Sequence, residues 1–316
     1  MAHEVETMFY VNNQTVNGEN VRFVPWHGLG TPVSEALTSK EALEVAGLNW
    51  KVTSSPVYIE NHIQIPGYVA NVRDTDNAIL GIVTGRYQIV QNEEAFDFTD
   101  ALIGEGCKYV TAGSLRGGKK IWLLAQLPSD TILGDEVDTY LCFTNSHDGT
   151  GAIRACCTPT RVVCNNTLNL ALDNATRSWS TKHIGDVQSK LEAAKQSLSH
   201  AQHYMEELKV TADRMANETM TKDEVTDFIV SLFPIQKDDS DRKKANVNKQ
   251  IEDVYTCYFA PDIMKFAKTK WGMIQAIADY VDHSEPARKS SNYNENRWEM
   301  VMNGHPLLDL AFSKLQ

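Results

Sequence analysis

Along the first half of the chain, apolar positions alternate between helical spacing and the two-residue spacing of strands. The stretch "TSKEALEVAGLNW" opens with Thr38 and Glu41 three residues apart, the spacing of a capping box, and closes at Gly47. A short helix is predicted over about residues 39–46. From Trp50 onward, "WKVTSSPVYIE", "GYVANVRD" and "AILGIVTGRYQIV" are rich in β-branched and aromatic residues, with "DTDN" as the turn between the last two. That is the pattern of an antiparallel meander. "NEEAFDFTDALIGEG" then reads as a helix ending at Gly104 or Gly106, with Ala95, Phe98, Ala101 and Leu102 at helical spacing. A second strand group follows in "KYVTAGSL", "KKIWLLAQLP", "TYLCFTN" and "IRACCTPTRVV", the first two joined by a turn at Gly117-Gly118 and the last two by "NSHDGTGA". Sheet meanders alternating with helices predict an α+β fold, with one α+β domain over residues 1–185.

The longest helical pattern comes next. Val187, Leu191, Ala194, Leu198, Ala201, Met205, Leu208, Ala212 and Met215 repeat at intervals of four and three, an apolar seam that predicts a helix over 186–217. Such a seam packs either inside the chain or between two copies of it. A second capping box, Thr221 with Glu224, starts "KDEVTDFIVSLF". Beyond the polar stretch "KDDSDRKKANVNK", two more helices are predicted in "QIEDVYTCYF" and "WGMIQAIADYVDH", so residues 186–316 form a helical region. The tail "SEPARKSSNYNENRWEMVMNG" reads as a long loop that orders against a partner.

Composition narrows the function. With 316 residues, 42% hydrophobic and 22% charged, the chain can bury a full core. No apolar run is long enough to span a bilayer, and "MAHEVETMFY" lacks the layout of a signal peptide, so a cytoplasmic protein without membrane contact is expected. Six sparse cysteines without a CxxC pair do not make a disulfide scaffold. The net charge is -11, and residues 1–100 carry most of it, with 5 basic and 13 acidic residues. The middle of the chain differs: Arg154, Arg161, Arg177 and Lys182 face a single acid, Asp173, within 151–185, and Arg116, Lys119 and Lys120 crowd one turn. A basic groove on an acidic body is therefore one arrangement the chain allows; scattered surface charge is the other.

The stretch "RACCTPTRVVCNNTLNLAL" concentrates the candidate chemistry. A thiol nucleophile would be Cys164, with His147 or His183 as base and Asn165 or Asn166 as orienting amide. Cys164 also ends an apolar strand, where an inert buried thiol is the ordinary outcome. A zinc site from Cys156, Cys157, Cys164, His147 and His183 has the wrong spacing, because adjacent cysteines on a strand point to opposite faces; no metal or other cofactor is predicted. The Asn165-Asn166-Thr167 triplet suits an N-cap for a helix "TLNLAL", and a helix start flanked by arginines suits an anion. Among six tryptophans, Trp179 in "RSWSTKH" is best placed to stack on a base, interleaved with Arg177, Lys182 and His183.

Six motifs in order, "VPWHGLG", "AGLNWKV", "GRYQIVQNEEAFDF", "TAGSLRGGKKIWLLAQLP", "NSHDGTGAIRACCTPTRVVCNNTLNLAL" and "KHIG" before a long helix, resemble the phage- and plasmid-borne proteins of domain-of-unknown-function family 932. The resemblance spans roughly residues 20–215 and implies an origin in a mobile element of a bacterium. In topology, the helix, the meander that starts at a Trp and the following helix are similar to the core of Rad-type and phage single-strand annealing proteins. That resemblance implies an oligomeric, non-enzymatic protein that binds single-stranded DNA in recombination or replication. The helix "NEEAFDFTDALIGEG" is acidic where that group carries a basic one, so backbone contacts are expected instead from Arg116, Lys119, Lys120, Arg154, Arg161, Arg177 and Lys182, with Trp179 stacking. Two other classes are open: a protein-binding module that counters a host factor through the acidic N-terminal part and the seam helix, and a thiol enzyme centred on Cys164 with His147.

Overall fold

The computed structural model describes residues 5–13, 22–23, 31–33, 37–103, 108–161, 166–172, 177–194, 198–284, 290 and 293–316. Among the described residues, three strands precede the first helix, β1 (Val5–Asn13), β2 (Arg22–Phe23) and β3 (Thr31–Val33). Helix α1 (Ser39–Val45) starts where the capping box places it: the Glu41 carboxylate accepts from the Thr38 N–H at 3.0 Å and the Thr38 hydroxyl at 2.6 Å. Gly47, with φ of 64°, ends the turn in the left-handed conformation that glycine adopts without strain. The predicted meander is β4 (Val52–Ile59), β5 (Ile63–Arg73) and β6 (Ile79–Thr84), an antiparallel three-stranded sheet in sequence order, followed by α2 (Asn92–Ile103).

The second strand group builds a larger sheet from β7 (Lys108–Leu115), β8 (Lys120–Gln126), β9 (Asp130–Ile132), β10 (Asp135–Ser146), β11 (Ile153–Arg161), β12 (Asn166–Thr167) and β13 (Ser178–Thr181). Its main path runs β12-β11-β10-β8-β7-β1-β2, with β13 beside β11, β9 beside β10 and β3 beside β1. Every pairing is antiparallel except β1 with β3.

Helices then dominate: α3 (Val187–Ala194), α4 (Leu198–Asn217), α5 (Lys222–Leu232), α6 (Asp241–Tyr258), α7 (Pro261–Met264), α8 (Lys270–His283), α9 (Tyr293–Asn303) and α10 (Pro306–Leu315). The predicted seam helix corresponds to α3 and α4, with 195–197 outside the described residues. The described seam side chains are buried within the chain and divide between two cores. Val187, Leu191 and Ala194 join Trp50, Phe96, Phe98, Tyr109 and Phe143 around the first, while Met205, Leu208, Ala212 and Met215 join the second. That second core packs α5, α8 and α10 side chains such as Ile229, Ile274 and Phe312 onto Ile132, Val137 and Cys157 of the large sheet. Burial at these positions supplies the stabilisation that a dimeric coiled coil would otherwise provide.

Three sequence expectations are corrected. "TLNLAL" is not a helix: Asn166 and Thr167 pair with Arg161 and Thr160 as β12, and Leu168 and Leu170 are buried. The alternation of Leu168, Leu170 and Leu172 is a strand's period, and the buried Tyr204 hydroxyl bridges the backbone of Leu168 and Leu170. The polar stretch "KDDSDRKKANVNK" is helical from Asp241, because Ser240 caps α6 by accepting from the Lys243 N–H at 3.3 Å. The tail is not a loop throughout, since Tyr293–Asn303 forms α9 and lies against β11 of its own chain.

Candidate functional site

Strand register brings most of the predicted cations to one end of the large sheet. The β7–β8 turn holds Arg116 and Lys119, and Lys120 at the start of β8 pairs with Ser146 at the end of β10. Arg154, second residue of β11, pairs with Thr144 on one side and with Ser180 of β13 on the other, so Lys182 follows at the same end. Arg116, Gly117 and Gly118 all have positive φ, of 54°, 68° and 84°, a sharp turn that two glycines make possible. The His147 N–H donates to the Lys119 carbonyl at 2.7 Å and ties this turn to the β10–β11 loop. Arg161 lies at the opposite end of β11, paired with Val137, and Arg177 lies near mid-strand, its carbonyl accepting from the Cys157 N–H.

Several of these cations have protein partners. Glu299 of α9 lies 2.9 Å from Arg154 and 3.8 Å from Lys120, and Arg154 also donates to Asn303. Arg177 donates to the carbonyls of Cys157 and Met302 at 3.3 and 3.1 Å, which makes it a strut between the sheet and α9. Trp179 is half-buried against the first core, 6.2 Å from the Phe98 ring. Lys182 and Arg116 are exposed.

Next to this end lies a cleft of about 450 Å³, walled by Tyr68, Ile82 and Thr84 of the small sheet, the β10–β11 loop from Asp148 to Ala152, and Lys182, His183 and Ile184. The loop fits closely on β6, where a Cβ on Gly81 would meet the Asp148 Cα at 2.5 Å. Beneath the cleft is a buried polar cluster. The His183 Nδ1 sits 2.9 Å from the Gln88 carbonyl, which can only accept, so Nδ1 carries the proton and Nε2 presents a bare lone pair. That ring stacks on Tyr87, with centroids 4.5 Å apart and planes 13° from parallel. The Tyr87 hydroxyl donates to the Ser146 carbonyl. The same logic fixes His147: Asn92 donates through Nδ2 to the Leu48 carbonyl at 2.9 Å, so its Oδ1, 3.0 Å from His147 Nε2, accepts from that nitrogen. Burial holds His147 neutral, lowering its pKa to about 3, and burial lowers His183 as well.

Four acceptors in this cluster are buried and find no donor among the described residues: His147 Nδ1, His183 Nε2, Asn71 Oδ1 and Asn145 Oδ1. Their amide partners are engaged, since Asn71 donates to the His147 carbonyl at 2.8 Å and Asn145 to the Val90 carbonyl at 3.0 Å. Only His183 of the four lines the cleft.

Cys164 and Asn165 lie outside the described residues, and the stretch expected to follow them as a helix is the two-residue strand β12 and then irregular backbone over 168–172. His147 is buried beneath the loop, edge-on to Trp50 at 5.4 Å. The three cysteines of the β10–β11 pair are buried, and burial raises Cys142 and pushes Cys157 up to about 12, which leaves both as thiols. No three His, Cys, Asp or Glu side chains among the described residues group as a metal site. Sequence reasoning gave no role to Tyr68 or Tyr87, although Tyr87 lies in the motif "GRYQIVQNEEAFDF"; their strand and turn positions matter only once the cleft exists.

A family model described as Domain of unknown function (DUF932) matches residues 79–302. The chain belongs to this family. The DUF932 match starts in β6 and ends in α9, so it covers the large sheet from β7, the cleft loop and most of the helices. No curated protein matches the chain, and no solved structure does. No helix among the described residues is long and apolar enough to cross a membrane.

Proposed function

We propose that this DUF932 protein binds single-stranded DNA without catalysis, in the recombination or replication of a phage or plasmid. The reading is carried by one observation: register gathers Arg116, Lys119, Lys120, Arg154 and Lys182 at one sheet end, beside a cleft with exposed Tyr68. Clustered cations neutralise phosphates, and an exposed aromatic stacks on bases, the two elements of sequence-tolerant strand binding. The order α1, β4-β5-β6, α2 is the helix, meander and helix on which the resemblance to annealing proteins rests, and a protein of that kind would act as an oligomer.

The test is an electrophoretic shift assay with labelled single-stranded and duplex DNA at two salt concentrations. Binding should favour the single strand and weaken as salt rises, and Lys119→Ala or Lys182→Ala should each reduce the slope of log affinity against log salt by about 1. Absence of binding at low salt would overturn the reading.

One feature favours a second reading, a protein partner. The β4–β5 end of the small sheet exposes Tyr58 (53%), Ile59 (55%) and Ile63 (58%), with Ile59 and Ile63 paired across the two strands, apolar surface of the kind that protein contacts cover. A host factor or a second copy of the chain would fit it, and pull-down and sedimentation measurements distinguish the two. A thiol mechanism at Cys164 predicts that Cys164→Ser abolishes biological activity.

A further inference from the structure

We infer that the cleft beside Lys182 receives one unpaired nucleobase of the bound strand, with Tyr68 stacking on its face and His183 Nε2 accepting a hydrogen bond from its Watson–Crick edge. The inference rests on the DNA reading and assigns the base-binding part of that site.

Three observations support it. The cleft is lined by the half-exposed Tyr68, by Ile82 and Ile184, and by the Tyr87–His183 stack, surfaces suited to a flat apolar ring. Charge sorts the strand: the Asp148 carboxylate lines the cleft, held by the Thr150 N–H and hydroxyl at 2.9 and 2.7 Å, and repels a phosphate, whereas Lys182 at the lip attracts one. The His183 side chain, 3% exposed, has its proton committed to Gln88 through Nδ1, so Nε2 can only accept. Each of the four bases carries an N–H donor on its Watson–Crick edge: an exocyclic amine in adenine and cytosine, N1–H and an amine in guanine, N3–H in thymine. In a duplex that donor is already bonded to the opposite base. A buried acceptor therefore discriminates unpaired from paired bases without choosing among sequences, and an unsatisfied buried acceptor is a strong selector.

Fluorescence anisotropy on the full chain tests this with four strands of equal length: a mixed-sequence single strand, an abasic strand, oligothymidylate, and oligothymidylate methylated at N3. The wild type should bind the base-bearing strand more tightly than the abasic one. Tyr68→Ala should lose roughly 5- to 150-fold for the base-bearing strand, the range that one base–aromatic stack is worth, with no change for the abasic strand or in the salt slope. Tyr68→Phe should retain binding, and N3-methylation should weaken it by removing the donor to His183. Equal, salt-sensitive binding of base-bearing and abasic strands would overturn the inference and leave the DNA reading standing. Unchanged affinity in Tyr68→Ala would do the same. Binding to neither strand would overturn both together.

Discussion

Burial, rather than a neighbouring opposite charge, decides the protonation of His147. Asp148 pulls its pKa upward, but loss of hydration and the nearby His183 outweigh that pull and set it at about 3, against 6.5 for a free histidine. Between those values the unfolded chain binds a proton that the folded chain refuses. The contribution to stability is therefore complete above pH 6.5 and is lost as pH falls towards 3, at up to about 1.4 kcal/mol per pH unit. His183, lowered by burial, acts in the same direction. Urea unfolding at pH 7 and pH 5 should show His147→Gln less stable than wild type at the higher pH and less sensitive to the drop. An unchanged pH dependence would show that His147 is not a source of the acid sensitivity. In the sequence the two histidines were visible as possible bases for a thiol or ligands of a zinc site; their neutrality follows from burial.

Among the elements, those with end signals were the most legible. The capping boxes at Thr38 and Thr221 mark α1 and α5, and in α5 both reciprocal bonds form, Thr221 N–H to Glu224 at 2.7 Å and Glu224 N–H to the Thr221 hydroxyl at 3.2 Å. Thr221→Ala should cost about 1 kcal/mol, read as a lower midpoint in urea with unchanged slope; no shift would mean that the second core alone holds α5 in place. Elements whose signal depends on a partner were misread. β12 has two residues and is a strand only because β11 offers its edge, and α9 runs through the polar stretch 294–297 before it seats Met302 against Cys156, at 3.3 Å between sulfurs. The heptad spacing of α3 and α4 correctly marked a buried seam, but spacing alone could not say whether the seam closes on this chain or another.

Across the whole molecule, charge arrangement matters more than charge total. A net -11 coexists with a basic sheet end because the β7–β8 turn, the start of β8, the start of β11 and the residue after β13 bring their cations together around the end of β10. Glu299 of α9 offsets two of those cations, Arg154 from 145 residues away in the sequence and Lys120 from farther still. Under the proposed function, Glu299→Gln should tighten single-strand binding and steepen its salt dependence, since released cations displace more counterions. Stability should change by no more than ~1 kcal/mol, because the pair is partly exposed. A shift assay across salt concentrations checks both signs; weaker binding would mean that Glu299 orients the arginine for its role instead of competing with phosphate.

The sequence by itself determined the α+β class, the small meander, most helix boundaries and the buried seam, because periodicity, capping and turn chemistry act over a few neighbouring residues. It also marked, by residue type, most of the cations that meet at the sheet end. Only the tertiary structure decided which of them gather there, that Glu299 and the Cys157 and Met302 carbonyls engage Arg154 and Arg177, and that Tyr68, Lys182 and His183 share a cleft. Those facts depend on register between strands far apart in the chain and on desolvation beneath a loop, and neither has a local signature that a single sequence can carry.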